Sequence, residues 1–391
     1  MIIDILLVSV ALLLSTPVFV LFVQIAFACL PKTRGIEIPA IKVRVAILIP
    51  AHNEAEGIIA TINSILPQLN PGDRLLIVAD NCTDKTAAIA IENGAEAIER
   101  HNLSNRGKGY ALDFGIKFLA QNPPDVVVIV DADCIVQKNA LKKLATYSAH
   151  HNKPVQSLYL MLSPNGASIK SKIAEFAWAV KNLVRARGYA KLGLPCPLMG
   201  SGMAFPWAII AHGNLANGNI VEDLKLGIDL CKSGNAPLFY EDALVTSYFP
   251  NTAEGQTVQR TRWEHGHLSM ILSQAPQLFL QGILQGNKNL LAMALDLCAP
   301  PLALLVVMLI SFWTLAVLAT LAGAGSLALL ISTSSIVLLI VAILIAWQGW
   351  GRHIIPVTTL LLVPVYVLSK IPYYFSFIFK RQKKWIRTDR K

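Results

Sequence analysis

Two aspartates separated by one residue, Asp131 and Asp133, close a run of five branched apolar residues at 126–130. Hard divalent cations such as Mg2+ or Mn2+ take carboxylate oxygens and share their remaining positions with phosphate oxygens and water. A cation held between such a carboxylate and a diphosphate would neutralise a leaving group. An Asp-x-Asp alone is equally a strand ending in two solvated acids. The pair gains weight because Glu54 and Asp80 close two other apolar runs. Arg106-Gly107-Lys108-Gly109 opens a helical stretch, where free amides and two cations suit a phosphate as well as they suit a plain basic loop. Glu222 and Asp223 stand at another helix start, where acids also complement the helix dipole. Gln259-Arg260-Thr261-Arg262-Trp263 is a basic turn with an indole, and Glu264, His265 and His267 beside it resemble a metal trio only loosely. The six cysteines form no Cys-x-x-Cys pair, so no zinc or disulfide framework follows and they read as small buried residues.

Groups at strand ends do chemistry together only if the strands bring their ends to one edge. The middle of the chain has that pattern. Apolar runs at 44–50, 75–80 and 126–130, and a short one at 97–99, alternate with helical spacing at 54–69, 83–93 and 108–119. Thr83 is the expected cap of the second helix. Continuous Val/Ile runs between helices predict a parallel sheet covered on both faces. Ligands of such sheets bind at the carboxyl ends of the strands. No GxGxxG follows the first run and no GxxxxGK[ST] occurs, which argues against a dinucleotide dehydrogenase and a P-loop ATPase. A later helix, over residues 170–191, carries Lys170, Lys172, Lys181, Arg185, Arg187 and Lys191 and is expected to present them on a solvated or membrane-facing surface.

The rest of the chain is apolar. Of 391 residues, 54% are hydrophobic and 15% charged, against about 25% charged in soluble proteins. Residues 5–30 carry no charge, enough for the roughly 20 residues that cross a bilayer core, and too long, with too acidic a start, for a cleaved signal peptide. Residues 297–351 are also uncharged and accommodate two spans, near 302–322 and 326–348, with Gly323 and Gly325 between them. A third run, 354–369, is short and holds Pro356 and Pro364. The net charge is +10, and more than half of it lies in residues 380–391, where seven basic residues face Asp389. Next to an apolar stretch, and with Trp385 among them, these residues read as a contact with an anionic leaflet; no nucleic-acid fold signature accompanies them. Asp4 before the first span, and Lys32, Arg34, Lys42 and Arg44 after it, place the middle domain in the cytoplasm. Three further spans would then put the basic tail outside, against its charge. Either the third run is re-entrant, or residues 290–321 hide an additional span, or the rule fails for the tail. The count is three or four spans.

Seven segments in order resemble glycosyltransferase family 2: PAHNE at 50–54, ADNCTD at 79–84, NRGKGYALD at 105–113, DAD at 131–133, GSG at 200–202, ED at 222–223 and QRTRW at 259–263. The last, with flanking apolar helices, is similar to the membrane-integrated branch that includes cellulose, chitin and hyaluronan synthases, exopolysaccharide transferases and ceramide glucosyltransferase. The NRGKGYALD wording leans toward bacterial exopolysaccharide transferases.

The resemblance implies an α/β, Rossmann-like GT-A domain over residues 43–265, between an anchor at 1–31, interfacial helices at 266–301, a transmembrane region at 302–379 and the tail at 380–391. It implies a bacterial inner-membrane enzyme with a cytosolic catalytic domain, a UDP-sugar donor and an inverting transfer to a polysaccharide. Carried over residue by residue, Glu54 and Asp80 would hold uracil and ribose, Lys108 and Asp131 the nucleotide, Asp133 the Mg2+ or Mn2+, and Asp223 would be the general base. Gln259 and Arg262 would grip the diphosphate and Trp263 would stack on the acceptor sugar. Many relatives carry Thr before the Glu-Asp pair, where this chain has Val221. Three or four spans make a poor monomeric export pore: either the product is short, or chains associate as a homo-oligomer, or the acceptor is a lipid.

Overall fold

A computed structural model describes residues 1–31, 42–250 and 252–379. The chain divides into two compact units, one formed by residues 1–31, 165–193 and 257–382, the other by 32–164, 194–256 and 383–391.

The second unit is built on an eight-stranded sheet: β1 (Val45–Ala51), β2 (Arg74–Asp80), β3 (Glu96–Arg100), β4 (Val126–Ile129), β5 (Ile135–Val136), β6 (Val155–Leu162), β7 (Met203–Pro206) and β8 (Leu238–Tyr248). Their spatial order is β3-β2-β1-β4-β7-β6-β8-β5. The four strands β3, β2, β1 and β4 are parallel, as their apolar runs predict. Beyond β4 the sheet departs from the expected all-parallel form. β7 runs antiparallel to both β4 and β6, β6 and β8 are parallel, and β5 is antiparallel to β8.

Helix Lys108–Leu119 presents Ala111, Leu112, Ile116 and Leu119 to one sheet face, where they pack with Leu48, Leu76, Val78, Val127, Ile129 and Phe205. That spacing of one, four and three residues is a single helical stripe. The helix expected from Glu54 begins at Ile58, because Glu54 forms a turn whose carbonyl accepts from Gly57 and Ile58 N–H. The helix expected from Thr83 begins at Thr86, whose N–H and hydroxyl both donate to Asp84. Thr83 is not its cap; its N–H donates to Asn53 Oδ1 instead.

In the other unit, among the described residues, three helices are long and apolar enough to cross a membrane: Ile2–Ala28, Leu302–Leu321 and Leu327–Gly351, of 27, 20 and 25 residues. Their buried faces share one cluster with Phe176, Val180 and Val184. The third run breaks into two short helices, Val357–Leu360 and Val363–Leu368, and a further one, Ile371–Phe379, follows Lys370; Pro364 sits at the start of the second. The basic tail at 380–391 and the cations Lys32 and Arg34 lie outside the described residues.

The cationic helix expected at 170–191 is Ile169–Ala179, a π-helical turn Val180–Arg185, and Ala186–Lys191. Lys170 and Lys181 are exposed, as the spacing predicts, but the other end of the stretch turns inward. Arg185 is largely withdrawn from solvent against Asp296 and Gln24, while Arg187 and Lys191 donate to the Leu30 and Pro31 carbonyls just past the first helix. Cations at a helix C-terminus meet the negative end of its dipole.

Candidate active site

Because β1, β2 and β4 are parallel neighbours, their carboxyl ends share one edge. Asn53 and Asn81, just past β1 and β2, have φ of 55° and 52°. Asparagine tolerates this left-handed conformation best after glycine, and both side chains knit the edge: Asn53 accepts from Thr83 N–H at 2.7 Å and Asn81 from Asn102 N–H at 2.7 Å. Asp80 is buried there. Its Oδ1 lies 2.5 Å from Arg100 and accepts from Asn81 at 2.9 Å. Arg100 in turn rests over the Tyr110 ring and donates to the Asn105 carbonyl. Glu54 N–H donates to the Thr86 hydroxyl at 2.9 Å, and its carboxylate lies beside Gly57.

The antiparallel β4–β7 pairing brings the Gly200-Ser201-Gly202 turn beside Asp131. Gly202 N–H donates to the Ile129 carbonyl at 2.9 Å, and Asp131 N–H donates to Ser201 Oγ at 3.0 Å. Gly200 has φ of 93°. A Cβ there would stand 3.3 Å from Asp223 Oδ2, 3.7 Å from Lys108 Nζ and 3.8 Å from Asp131 Oδ2. Residues distant in sequence thus converge on a position that both backbone and space reserve for glycine.

Lys108 is the hub. Its ammonium sits 2.5 Å from Asp131 Oδ1, donates to the Gly200 carbonyl at 2.7 Å and lies 3.7 Å from Glu222 Oε1. Burial disfavours its charge, but the fields of Asp131, Glu222 and Asp223 outweigh that and hold its pKa above the ordinary lysine value. Burial pushes the Glu222 carboxyl up to about 7; Lys108 draws it down and Asp223 raises it further. Glu222 and Asp223 open helix Glu222–Lys232, as their positions predict.

The chemistry of the donor set fits a hard divalent cation. The Asp131 and Asp133 oxygens and Cys134 Sγ lie within 4.8 Å of one another, the one such group among the described residues. Burial pushes the Cys134 thiol up to about 12; hard cations prefer carboxylate oxygen to sulfur, so the two aspartates are the ligands that fit Mg2+ or Mn2+.

Gln259, Arg262 and Trp263 belong to the helical unit, on helix Ala253–Leu284. Their spacing of three and four residues sets them on one helix face. Gln259 is buried, and Trp263 packs on Trp178 with ring centres 4.9 Å apart and planes at 41°. The loose metal trio resolves into hydrogen bonding: His265 Nε2 faces the Tyr373 carbonyl and Ser376 Oγ, and His267 Nε2 faces the Leu297 carbonyl. All six cysteines are free, and Cys134, Cys196 and Cys231 are buried as expected, whereas Cys29 is exposed.

The pairing of Glu222 with Lys108 and of Asp80 with Arg100 is absent from the sequence reading. For Arg100 a signal exists, a cation ending a strand at the edge where Asp80 ends its neighbour. For Glu222 none does, since only the sheet order brings it to Lys108.

A family model described as glycosyltransferase like family 2 matches residues 43–266. A probable glycosyltransferase of Bacillus subtilis (strain 168), YdaM, is 27% identical over 251 residues, 60% of this chain and 58% of that protein. A poly-β-1,6-N-acetyl-D-glucosamine synthase of Staphylococcus aureus (strain COL) is 26% identical over 231 residues, 58% of this chain and 55% of that protein. The chain thus spans a little over half the length of these curated relatives. A mannosyltransferase from Pyrobaculum calidifontis, solved in complex with GDP-mannose and Mn2+, aligns with 96% of this chain and 100% of its own, at a TM-score of 0.59 and 16% identity. That likeness establishes the GT-A fold of the sheet domain.

Proposed function

The chain belongs to glycosyltransferase family 2, and on that premise we propose that it is a membrane-bound, metal-dependent, inverting glycosyltransferase. It transfers a sugar from a UDP-sugar to a growing β-linked exopolysaccharide, with the sheet domain on the cytosolic side of a bacterial inner membrane. The observation that carries this reading is the convergence of Lys108, Asp131, Glu222 and Asp223 around Gly200, with Asp133 beside Asp131. On this reading the diphosphate and the base would lie within one side chain's reach of each other at that sheet edge.

Asp131 and Asp133 would hold Mg2+ or Mn2+, which when bound offsets charge on the diphosphate. Glu54 and Asp80 would take the nucleoside, Asp80 being set in place by Arg100. Lys108 would hold Asp131 in register and present positive charge to the nucleotide. Asp223 would accept the proton of the acceptor hydroxyl as that oxygen attacks the anomeric carbon, while the bond to the diphosphate breaks and UDP leaves with the electron pair. Gln259 and Arg262 would grip the diphosphate, and the Trp263 indole would cover the C–H face of the acceptor sugar.

A second reading is transfer of one sugar to a ceramide-like, diacylglycerol or polyprenyl lipid, which the apolar helices of the described chain would bring to the bilayer. The test is the full chain in lipid nanodiscs with a panel of UDP-sugars and Mn2+, the products identified by mass spectrometry. A ladder of β-linked oligomers supports the polymer reading. A single glycolipid replaces it with the lipid reading. Absence of UDP release from every donor overturns both.

A further inference from the structure

The helix that carries Gln259, Arg262 and Trp263 has a second face. At about 100° per residue, Thr257, Glu264 and His265 lie on the side opposite those three. The end of the described chain engages that opposite side. Lys370 is buried, 2% exposed, and its ammonium lies 3.2 Å from Glu264 Oε1. It also sits 5.3 Å and 5.5 Å from the ring centres of Tyr366 and Tyr373. The Tyr373 hydroxyl faces Thr257 Oγ1 at 3.4 Å, and the Tyr373 carbonyl faces His265 Nε2 at 3.4 Å. Ser376 Oγ meets the same His265 nitrogen at 3.2 Å, and the His265 and Phe377 rings meet edge-on at 5.3 Å. These contacts cover the helical turns from which Gln259, Arg262 and Trp263 project.

A buried ion pair is a costly way to glue two helices, since matched apolar side chains usually hold them as well. What a pair adds is a defined register and rotation. An ammonium held between one carboxylate oxygen and two aromatic faces fixes the helix about its own axis more narrowly than a leucine contact does. Rotation is the coordinate that decides where Gln259, Arg262 and Trp263 point. On the other side, Trp178, itself capped by the Lys181 ammonium at 5.6 Å, packs on Trp263 and so reports that rotation.

We propose that Lys370 is a positioning residue: through Glu264 it sets the rotation of the helix bearing Gln259, Arg262 and Trp263, so that the segment 363–377 controls transfer without touching donor or acceptor. The effect on transfer rests on the function proposed above. The effect on the indole pair does not.

The experiment compares the full chain with Lys370→Met, Lys370→Arg and the double variant Lys370→Met/Glu264→Met in nanodiscs. Sugar transfer, thermal stability and the near-ultraviolet circular dichroism of the Trp178–Trp263 pair are measured on each. For Lys370→Met, kcat is expected to fall about 10- to 100-fold, the cost of misplacing a positioned group by about 1 Å, and the indole signal to change. Lys370→Arg restores both. The double variant, which leaves no buried charge alone and so guards against simple unfolding, stays folded and slow. Wild-type kcat and an unchanged indole signal in either methionine variant overturn the proposal. If the wild type transfers no sugar, the function proposed above fails, and the dichroism alone then decides the positioning role.

Discussion

Each unit of the molecule sets a basic side chain against acidic groups, and the two clusters differ in how many carboxylates they gather. In the helical unit Arg185 meets a single carboxylate. It donates to Asp296 Oδ1 at 2.8 Å and to the Asp296 carbonyl at 3.1 Å, while its Nε donates to Gln24 Oε1 at 2.9 Å. Gln24, wholly buried, closes the ring by donating to Asp296 Oδ1 at 2.6 Å. At the sheet edge Lys108 faces three carboxylates, Asp131, Glu222 and Asp223. The first cluster closes on itself. The second gathers several interacting acids around one ammonium, at the strand ends where such sheets bind their ligands. A closed buried ion pair points to architecture; a cluster of acids with a strongly perturbed pKa points to chemistry.

The largest effect should come from removing a reacting group of the sheet-edge cluster. Asp223→Asn keeps size and removes basicity. Sugar-dependent UDP release should fall about 10^2- to 10^4-fold, the usual worth of a general base, while UDP affinity by calorimetry stays within about twofold. Unchanged release would move the base elsewhere and leave the carboxylates around Lys108 without a catalytic use.

The closed cluster should respond in stability. Arg185→Leu leaves Asp296 buried without its cation, a change worth about 3–5 kcal/mol, read as a marked drop in Tm in detergent. Replacing Gln24, Arg185 and Asp296 together by leucine should recover most of that drop, because no charge is then left alone. A triple variant no better than Arg185→Leu would show that the network does more than hold helices together. Gly188 makes the same joint intolerant in another way. A Cβ there would come 1.8 Å from the Gln24 carbonyl oxygen, so the two backbones meet directly.

The difference between the clusters also explains which parts were legible in the sequence. β1, β2 and β4 show as unbroken Val/Ile/Leu runs because both their faces are covered, and Glu54, Asp80, Asp131 and Asp133 show because they end those runs. The far half of the sheet hid itself. β7 has four residues, and β8 carries Glu241 and Asp242 in mid-strand, where its pairing with β6 shifts register. Asp223 was legible from its motif, whereas the pairing of Glu222 with Lys108 depends on an antiparallel crossing that no local spacing encodes. Arg185 was misread for a geometric reason. The π-helical turn Val180–Arg185 inserts a residue into the repeat, so a 3.6-residue count along 170–191 loses phase and sends an inward cation to the surface.

The smallest and most discriminating effect concerns Glu222. Its folded-state pKa of about 7 stands above the ordinary glutamate value of 4.5. Between those values the folded chain binds a proton that the unfolded chain has released. Stability therefore falls as pH rises through this window, and the contribution is fully present below about pH 4.5 and lost above about 7. In the wild type Tm should decline by about 3 °C from pH 5 to 7.5 through this group. In Glu222→Gln, which resembles the protonated acid, that part of the decline should vanish and Tm at pH 7.5 should rise. Scanning fluorimetry of the two proteins across the range gives the difference directly. If both curves keep the same slope, Glu222 is ionised throughout, and Lys108 then faces three charged carboxylates instead of two. A bound divalent cation should flatten the wild-type slope in the same direction, because positive charge near Asp131 favours the ionised form of every acid around it. If Mn2+ leaves the slope untouched, the Glu222 carboxyl is not coupled to the Asp131–Asp133 pair.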